Sequence, residues 1–461
     1  MMTRVQELPG LAPRGGGDAR SAEPRAGRRH GSAWMRAGAR RASLLIASLL
    51  CLNTAAHADD LLQVWAQARA ADPLLRQAAA LSGAQQASVG VARAALLPQW
   101  SLRRDEQRDQ AGNRSHTTTS SISQALVDLA ALSTWDASRS QASAEAERLA
   151  AAEQAARQRL AEAYFGLLSA QAQLATARAN EEAFDRQVRE AESRFQAGLS
   201  AQVEADQSRA YRELARASTL AAELALADAR QALAQLTGSP PATVQPLRQS
   251  LAAQPLPDDA EAWAGRALQT NPELRALQLD LQAGEQRIAA ARAGHLPTLS
   301  LAVDTTRQRG DGVPTSAGGT PTQVALRLSL PLFAGGATSA AAERAVLQRE
   351  AVREQMEAGR RAVQREVRAQ HLAVAQGAAQ LQAAQAAVEA AERALSSTRA
   401  GLTLGTRSTT DLLLAIQILT AAQNAQTQAR HRHVLALLAL HRAAGSLGDA
   451  ELAAVNTLLE N

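Results

Sequence analysis

Along "TQVALRLSLPLF" (322–333), Val324, Leu326, Leu328 and Leu330 alternate with Ala325, Arg327 and Ser329. A period of two predicts a β-strand whose faces meet different surroundings. "PTLSLAV" and "SISQALVD" alternate less cleanly, and "PQWSLRRDEQRD" soon turns polar. Together they predict four strands, at 98–109, 118–128, 297–306 and 322–333, paired by the polar loops "AGNRSH" and "RGDGVPTSAGGTP". Most of the remaining sequence is Ala, Leu, Gln, Glu and Arg, which favours helix. Residues 134–196 contain no proline and one glycine, Gly166, and no proline follows Pro331. A helix over 134–196 would run roughly 95 Å at 1.5 Å per residue. Such alanine-rich helices without a sustained leucine heptad predict close packing along their whole length.

The pattern is written twice. "DPLLRQAAALSGAQQASVGVARAALLPQWSL" (72–102) matches "NPELRALQLDLQAGEQRIAAARAGHLPTLSL" (271–301) without a gap. A second gapless match sets Gly198 on Gly405, Glu204 on Asp411, and Thr237-Gly238-Ser239 on Ala444-Gly445-Ser446. Two structural repeats are expected, 59–257 and 258–461. Each reads as a helix of about 35 residues, two strands, a very long helix, a turn and a return helix. Proline-rich 238–257 links them. The turns fall at 197–203, with Gly198, and at 401–408, with Gly401 and Gly405; Gly335 and Gly336 turn the last strand into a helix. Thr409 or Thr410 is the expected start of the second return helix, with Asp411 in its first turn.

The N-terminus changes the charge argument. From Met35, a basic stretch (Arg36, Arg40, Arg41) precedes an apolar run and then Ala56-His57-Ala58, a small-x-small site. Residues 35–58 read as a signal peptide cut after Ala58, and 1–34 as a mis-assigned or disordered extension. Residues 1–58 hold nine arginines against three acids, so the chain's formal +5 becomes about −1 without them. The basic balance therefore gives no case for nucleic acid. The one cysteine, Cys51, lies in the leader, which leaves no thiol chemistry. The remaining histidines show no metal-ligand spacing, and no nucleophile or phosphate-loop motif occurs, so neither enzyme nor cofactor is expected. His431 and His433 read as surface residues. No later stretch suits a transmembrane helix, but transmembrane strands stay open. Four strands cannot close a barrel alone, so the sheet is either a soluble layer or one share of a barrel built by several chains.

The motifs "LLQVWAQARAADPLLR", "ARAALLPQWSL", "AEAYFGLL", "RFQAGLSAQVEADQSRA", "ARAGHLPTLSL", "LRLSLPLFAGG" and "LGTRSTTDLLLA", in this order on a duplicated chain, resemble the TolC family of outer-membrane efflux and secretion channels. The resemblance covers about residues 59–460 and leans toward the type I secretion, TolC-like branch. It implies an α+β membrane protein, a homotrimer with a 12-stranded barrel in outer-membrane lipid and a long antiparallel α-helical coiled-coil barrel in the periplasm. It implies as partners a periplasmic adaptor and an inner-membrane ABC or proton-driven transporter. The location would be the outer membrane of a Gram-negative cell, and the work passive conduction gated by iris-like opening of the helical tips.

The family's pore constriction carries two aspartates at i and i+3. Asp411 falls on the first and Leu414 on the second, a departure that leaves one acidic ring over an apolar one. Arg407 matches the family's latch arginine and Glu204 stands for its aspartate, so an Arg407–Glu204 contact is the expected latch. Leu402 and Val203 replace the family's latch tyrosine and its threonine partner, which removes half of that network. On the residues alone, Glu204 and Asp411 read as acids placed at helix N-termini. The rival architecture is a soluble periplasmic coiled-coil protein of adaptor type, without a barrel.

Overall fold

Side chains that accept from the first free backbone N–H groups set where the helices start. The computed structural model describes residues 60–108, 110, 112–239, 243–248, 256, 258–310 and 320–460. Residues 1–34, the leader with Ala56 and Ala58, and part of the linker lie outside them. Asp60 opens α1 (Leu61–Ala71) through a capping box with Gln63, and Asp72 opens α2 (Pro73–Ala94). The expected helix of about 35 residues is thus two. Pro73 lacks an N–H and bars the preceding residue from helical geometry, so Asp72 turns extended and its carboxylate accepts from Leu74 N at 2.9 Å. Asn271-Pro272 repeats the break between α5 (Ala260–Thr270) and α6 (Pro272–Ala293).

Strands β1 (Gln99–Arg108), β2 (Arg114–Val127), β3 (Thr298–Gly310) and β4 (Thr322–Ser329) form one antiparallel sheet in the order β1-β2-β3-β4. β2 begins four residues before the sequence reading places it, because Arg114–Thr117 pair fully with Asp105–Arg108. β4 stops at Ser329 instead of 333, just before Pro331, which has no N–H for a ladder.

Helices α3 (Leu129–Gln196) and α4 (Gln202–Thr237) form one hairpin, and α7 (Ala337–Thr403) and α8 (Thr409–Ala443) another. At 68 residues, α3 is roughly 100 Å long. Its sheet-proximal half lies along α6, where Ser140 Oγ donates to Gln286 Oε1 at 2.8 Å and Glu147 pairs with Arg275 at 3.2 Å. Its distal half lies along α4, where Arg178 pairs with Glu223 at 2.8 Å. α9 (Asp449–Asn456) ends the described fold.

The main core sits midway along α3, where Tyr164, Phe165, Leu160 and Leu167 pack with Leu61, Val64 and Trp65 of α1, Leu233 of α4 and Leu438 of α8. The linker is docked here. Tyr164 Oη meets both the N–H and the carbonyl of Gln245 at 3.0 Å, and Leu247 pairs with Leu459 beside α9. This core also corrects the histidines. His431 and His433 are 6% and 3% exposed, because neighbouring helices cover α8 on two sides. His431 Nδ1 bonds Ser169 Oγ on α3, while His433 lies against Gly377 of α7, where a Cβ would come within 3.3 Å of its ring.

Candidate functional site

Two regions combine unusual chemistry with exposure: the sheet, and the helical tips at the far end of the hairpins. Residues paired across neighbouring strands share a face of the sheet. One face carries the row Trp100–Ile122–Val303–Val324, with Leu301–Leu326 and Leu299–Leu328 on one side and Leu102 on the other. From Leu328 to Thr322 this band spans roughly 20 Å of strand. The opposite face carries Ser101–Ser121–Asp304–Gln323, together with Arg103, Asp105 and Arg327. The charge-rich end of β1 is thereby divided. Arg103 pairs with Asp105 on the polar face, whereas Arg104 pairs with Glu106 on the other face, beyond the apolar band. Among the described residues, both outer strands, β1 and β4, have one edge unpaired. Past β4, Leu332 and Phe333 are almost fully exposed. Gly335 and Gly336 follow with φ 61° and 85°, leading into α7.

The tips are built on two reversals. Gly198 and Gly405 have φ of 71° and 73°, left-handed geometry that lets Leu199 N reach Arg194 O and Thr406 N reach Gly401 O. Gly401 itself lies in the last turn of α7, in ordinary helical geometry. It is small because Arg407 crosses it, where a Cβ would stand 2.6 Å from Arg407 Cγ. Beneath the turns lies a small core of Phe184, Ala215, Leu395, Leu412, Leu413 and Ile416, with Leu402 and Tyr211 against it. Phe184 and Tyr211 stack at 5.7 Å between ring centres. Leu402 thus contributes apolar packing to the tip core.

Helix α8 starts at Thr409, one of the two starts the sequence reading offers. Its cap is Ser408, whose Oγ accepts from Asp411 N at 3.1 Å while Asp411 Oδ2 accepts from Ser408 N at 3.0 Å. Asp411 is therefore half of a capping box, and the hydrogen bond from Ser408 N holds its carboxyl below the usual range, with help from Arg407. Arg407 and Glu204 do not form an ion pair within the chain. Glu204 instead accepts from Thr409 Oγ1 at 3.1 Å, and Gln207 accepts from Thr410 Oγ1 at 3.0 Å. These two contacts join the first hairpin to the second. Arg407, in the turn before the cap, stays exposed. Gln207 was not singled out in the sequence and Thr409 was read only as a helix start, although S-x-x-D at 408–411 is a readable capping box. Leu414 is 50% exposed, as is Ile418 one turn on, at 51%.

No helix among the described residues is long and apolar enough to cross a membrane, and no group of His, Cys, Asp or Glu among them could hold a metal ion.

The model of a family described as outer membrane efflux protein matches residues 64–239 and 263–446. Outer membrane protein TolC of Vibrio cholerae is 30% identical over 426 residues, covering 90% of this chain and 97% of that protein. The alkaline protease secretion protein AprF of Pseudomonas aeruginosa is 29% identical, with 88% of each chain covered. Among solved structures, the outer membrane protein VceC from Vibrio cholerae superposes with a TM-score of 0.73 over 84% of this chain and 96% of that one, at 21% identity. The four-stranded sheet and long paired helices are thus the fold of outer-membrane channels, and the chain belongs to the outer membrane efflux protein family.

Proposed function

We propose that this protein is the outer-membrane exit duct of a tripartite efflux or type I secretion system, conducting substrate passively from an inner-membrane transporter. The observation that carries the reading is the sheet. Its apolar face suits lipid, its polar face suits a water-filled lumen, and its two outer edges are unpaired among the described residues. Lipid leaves no edge unpaired, so three copies would join β4 to a neighbour's β1 and close a 12-stranded barrel. The helical hairpins would then form the periplasmic tunnel, with the tips as its entrance. In this reading residues 35–58 are the export leader, cut after Ala58, and 59–257 and 258–461 are the two repeats.

The chemistry of a duct needs no reaction, only a wetted path that can close. Closure is assigned to the tips. Asp411 and Leu414 line the constriction, and the contacts of Glu204 with Thr409 and of Gln207 with Thr410 tie the two hairpins in the closed state. Arg407 is free to reach a neighbouring copy across the trimer. An adaptor docked on the tips would open them. The secretion branch is favoured by the likeness to a protein named for protease secretion. Cargo follows from the transporter. Purified protein in planar bilayers tests the reading: discrete, long-lived conductance steps support a duct, and membranes left electrically silent argue for a soluble coiled-coil protein.

A further inference from the structure

All four strands meet the helices at one end of the sheet, at Gln99, Val127, Thr298 and Ser329, and the polar loops lie at the other. Beyond Leu102 and Thr305, toward the loops, the face that carries the apolar band changes character. Its next row is Arg104–Thr118–Arg307, the one after is Glu106–His116–Arg309, and the last sets Arg108 directly opposite Arg114. These rows occupy roughly 20 Å of strand past Leu102. Five arginines thus share a surface with one acid, Glu106, which Arg104 already engages at 3.0 Å. Arg108, Arg114, Arg307 and Arg309 are exposed and have no ion-pair partner among the described residues. Even with Asp109 and Asp311 of the two loops counted, arginines outnumber acids five to three. Like charges set directly opposite on neighbouring strands repel, so Arg108 and Arg114 call for an anion from outside the sheet. The other face lacks this excess: over the same rows it carries Arg103, paired with Asp105, and the neutral Gln107 and Gln308.

We propose that this basic patch is a docking surface for the phosphorylated glycolipid of the outer leaflet, with the arginines holding its phosphates just above the hydrocarbon. The proposal rests on the duct reading above, which puts the helices in the periplasm and so turns the loop end of the sheet outward. In that reading the apolar band lies in lipid, and the first basic row falls where the hydrocarbon ends. Neighbouring copies join at the strand edges, which leaves this face uncovered in the trimer. A guanidinium suits the site, because its planar fork of donors matches a phosphate and it keeps its charge when partly desolvated. The depth of the patch selects among anionic lipids. Three successive rows fit a headgroup that carries several phosphates at different heights, whereas a phospholipid with one phosphate at the hydrocarbon edge would reach only the Arg104–Arg307 row. Three copies repeat the patch around the barrel and would give the channel a collar of bound glycolipid.

The test is binding of the native trimer, in mild detergent, to lipopolysaccharide that carries its lipid A and inner-core phosphates, and to the same material after dephosphorylation. The native trimer is expected to bind the phosphorylated form on the order of tenfold more tightly. Arg307→Gln with Arg309→Gln is expected to remove most of that preference and to leave binding of the dephosphorylated form as it was. Arg103→Gln takes the same charge from the polar face and should bind like the native protein. The inference is overturned if the native trimer binds both forms equally, which leaves apolar contact alone. It is overturned as well if phosphatidylglycerol binds as tightly as the phosphorylated glycolipid, or if the double glutamine variant matches the native protein. The comparison of the two glycolipids needs no variant, so it decides the matter even where a substitution prevents assembly. None of these results touches the duct reading, which fails only when the native protein forms no channel at all.

Discussion

Asp411 and His431 sit on the same helix and have opposite relations to their surroundings. The Asp411 carboxylate is stabilised as an anion by Ser408 N, so the cap keeps it charged at any ordinary pH. The His431 ring is stabilised neutral: burial, with the Arg430 guanidinium next to it, pushes its pKa down to about 4. For a base the sign follows directly. The unfolded chain takes up the proton near 6.5 while the folded chain resists, so stability falls as pH drops from about 6.5 and the loss is complete below about 4. The full loss is on the order of 3 kcal/mol. Urea unfolding of the detergent-solubilised protein at pH 7.5 and 4.5 measures most of it. His431→Gln is expected to lose less stability over that interval than the native protein, and an equal loss would show that His431 is not the group responsible. At the linker, Tyr164→Phe leaves the Gln245 N–H and carbonyl without their partner and is expected to cost about 1–3 kcal/mol, read as a lower urea midpoint.

At the scale of elements, helix ends decide most of what differs between pattern and structure. Ser408→Ala removes one arm of the box that opens α8 and is expected to cost about 1 kcal/mol. Amide exchange at Thr409–Leu412 should quicken, while exchange in the middle of α8 stays unchanged. Gly445, just past the end of α8, has φ 75°, and a Cβ there would stand 2.5 Å from Asn271 Cα. Gly445→Ala is expected to cost about 2 kcal/mol or more, since backbone strain and collision add. A native melting temperature for that variant would contradict the contact. Repetition made much of this legible in advance. The paired matches place the tip glycines, the strand pairs and the long helices, and S-x-x-D marks the cap for a reader who looks for it. Three features were not legible. The Asp72-Pro73 break hid inside a continuous helical pattern, because a proline at the first position of a helix and one in its middle look alike in sequence. The burial of His431 and His433 depends on which helices flank α8, which local spacing does not encode. The Glu204–Thr409 contact depends on side-chain reach between hairpins more than 200 residues apart in the chain.

Across the whole molecule, the sheet and the helices demand different solvents, and one chain satisfies only part of that demand. Among the described residues, Trp100 and Val324 of the apolar row stay exposed, and β1 and β4 each have one edge unpaired. Lipid on one face and neighbouring copies at the edges meet both needs. The two faces then respond differently to charge. Val324→Lys places an ammonium in the apolar band and is expected to cost about 2–4 kcal/mol, lowering the amount recovered in outer membranes. Gln323→Lys, one residue away on the polar face, should be tolerated; equal damage from both would mean that the faces are not lipid and lumen. The account as a whole stands on the number of chains that close the barrel. Native mass measurement of the species extracted from outer membranes in mild detergent tests this directly. The account predicts three copies of the chain in one particle, and a single chain recovered from the soluble periplasmic fraction would contradict it.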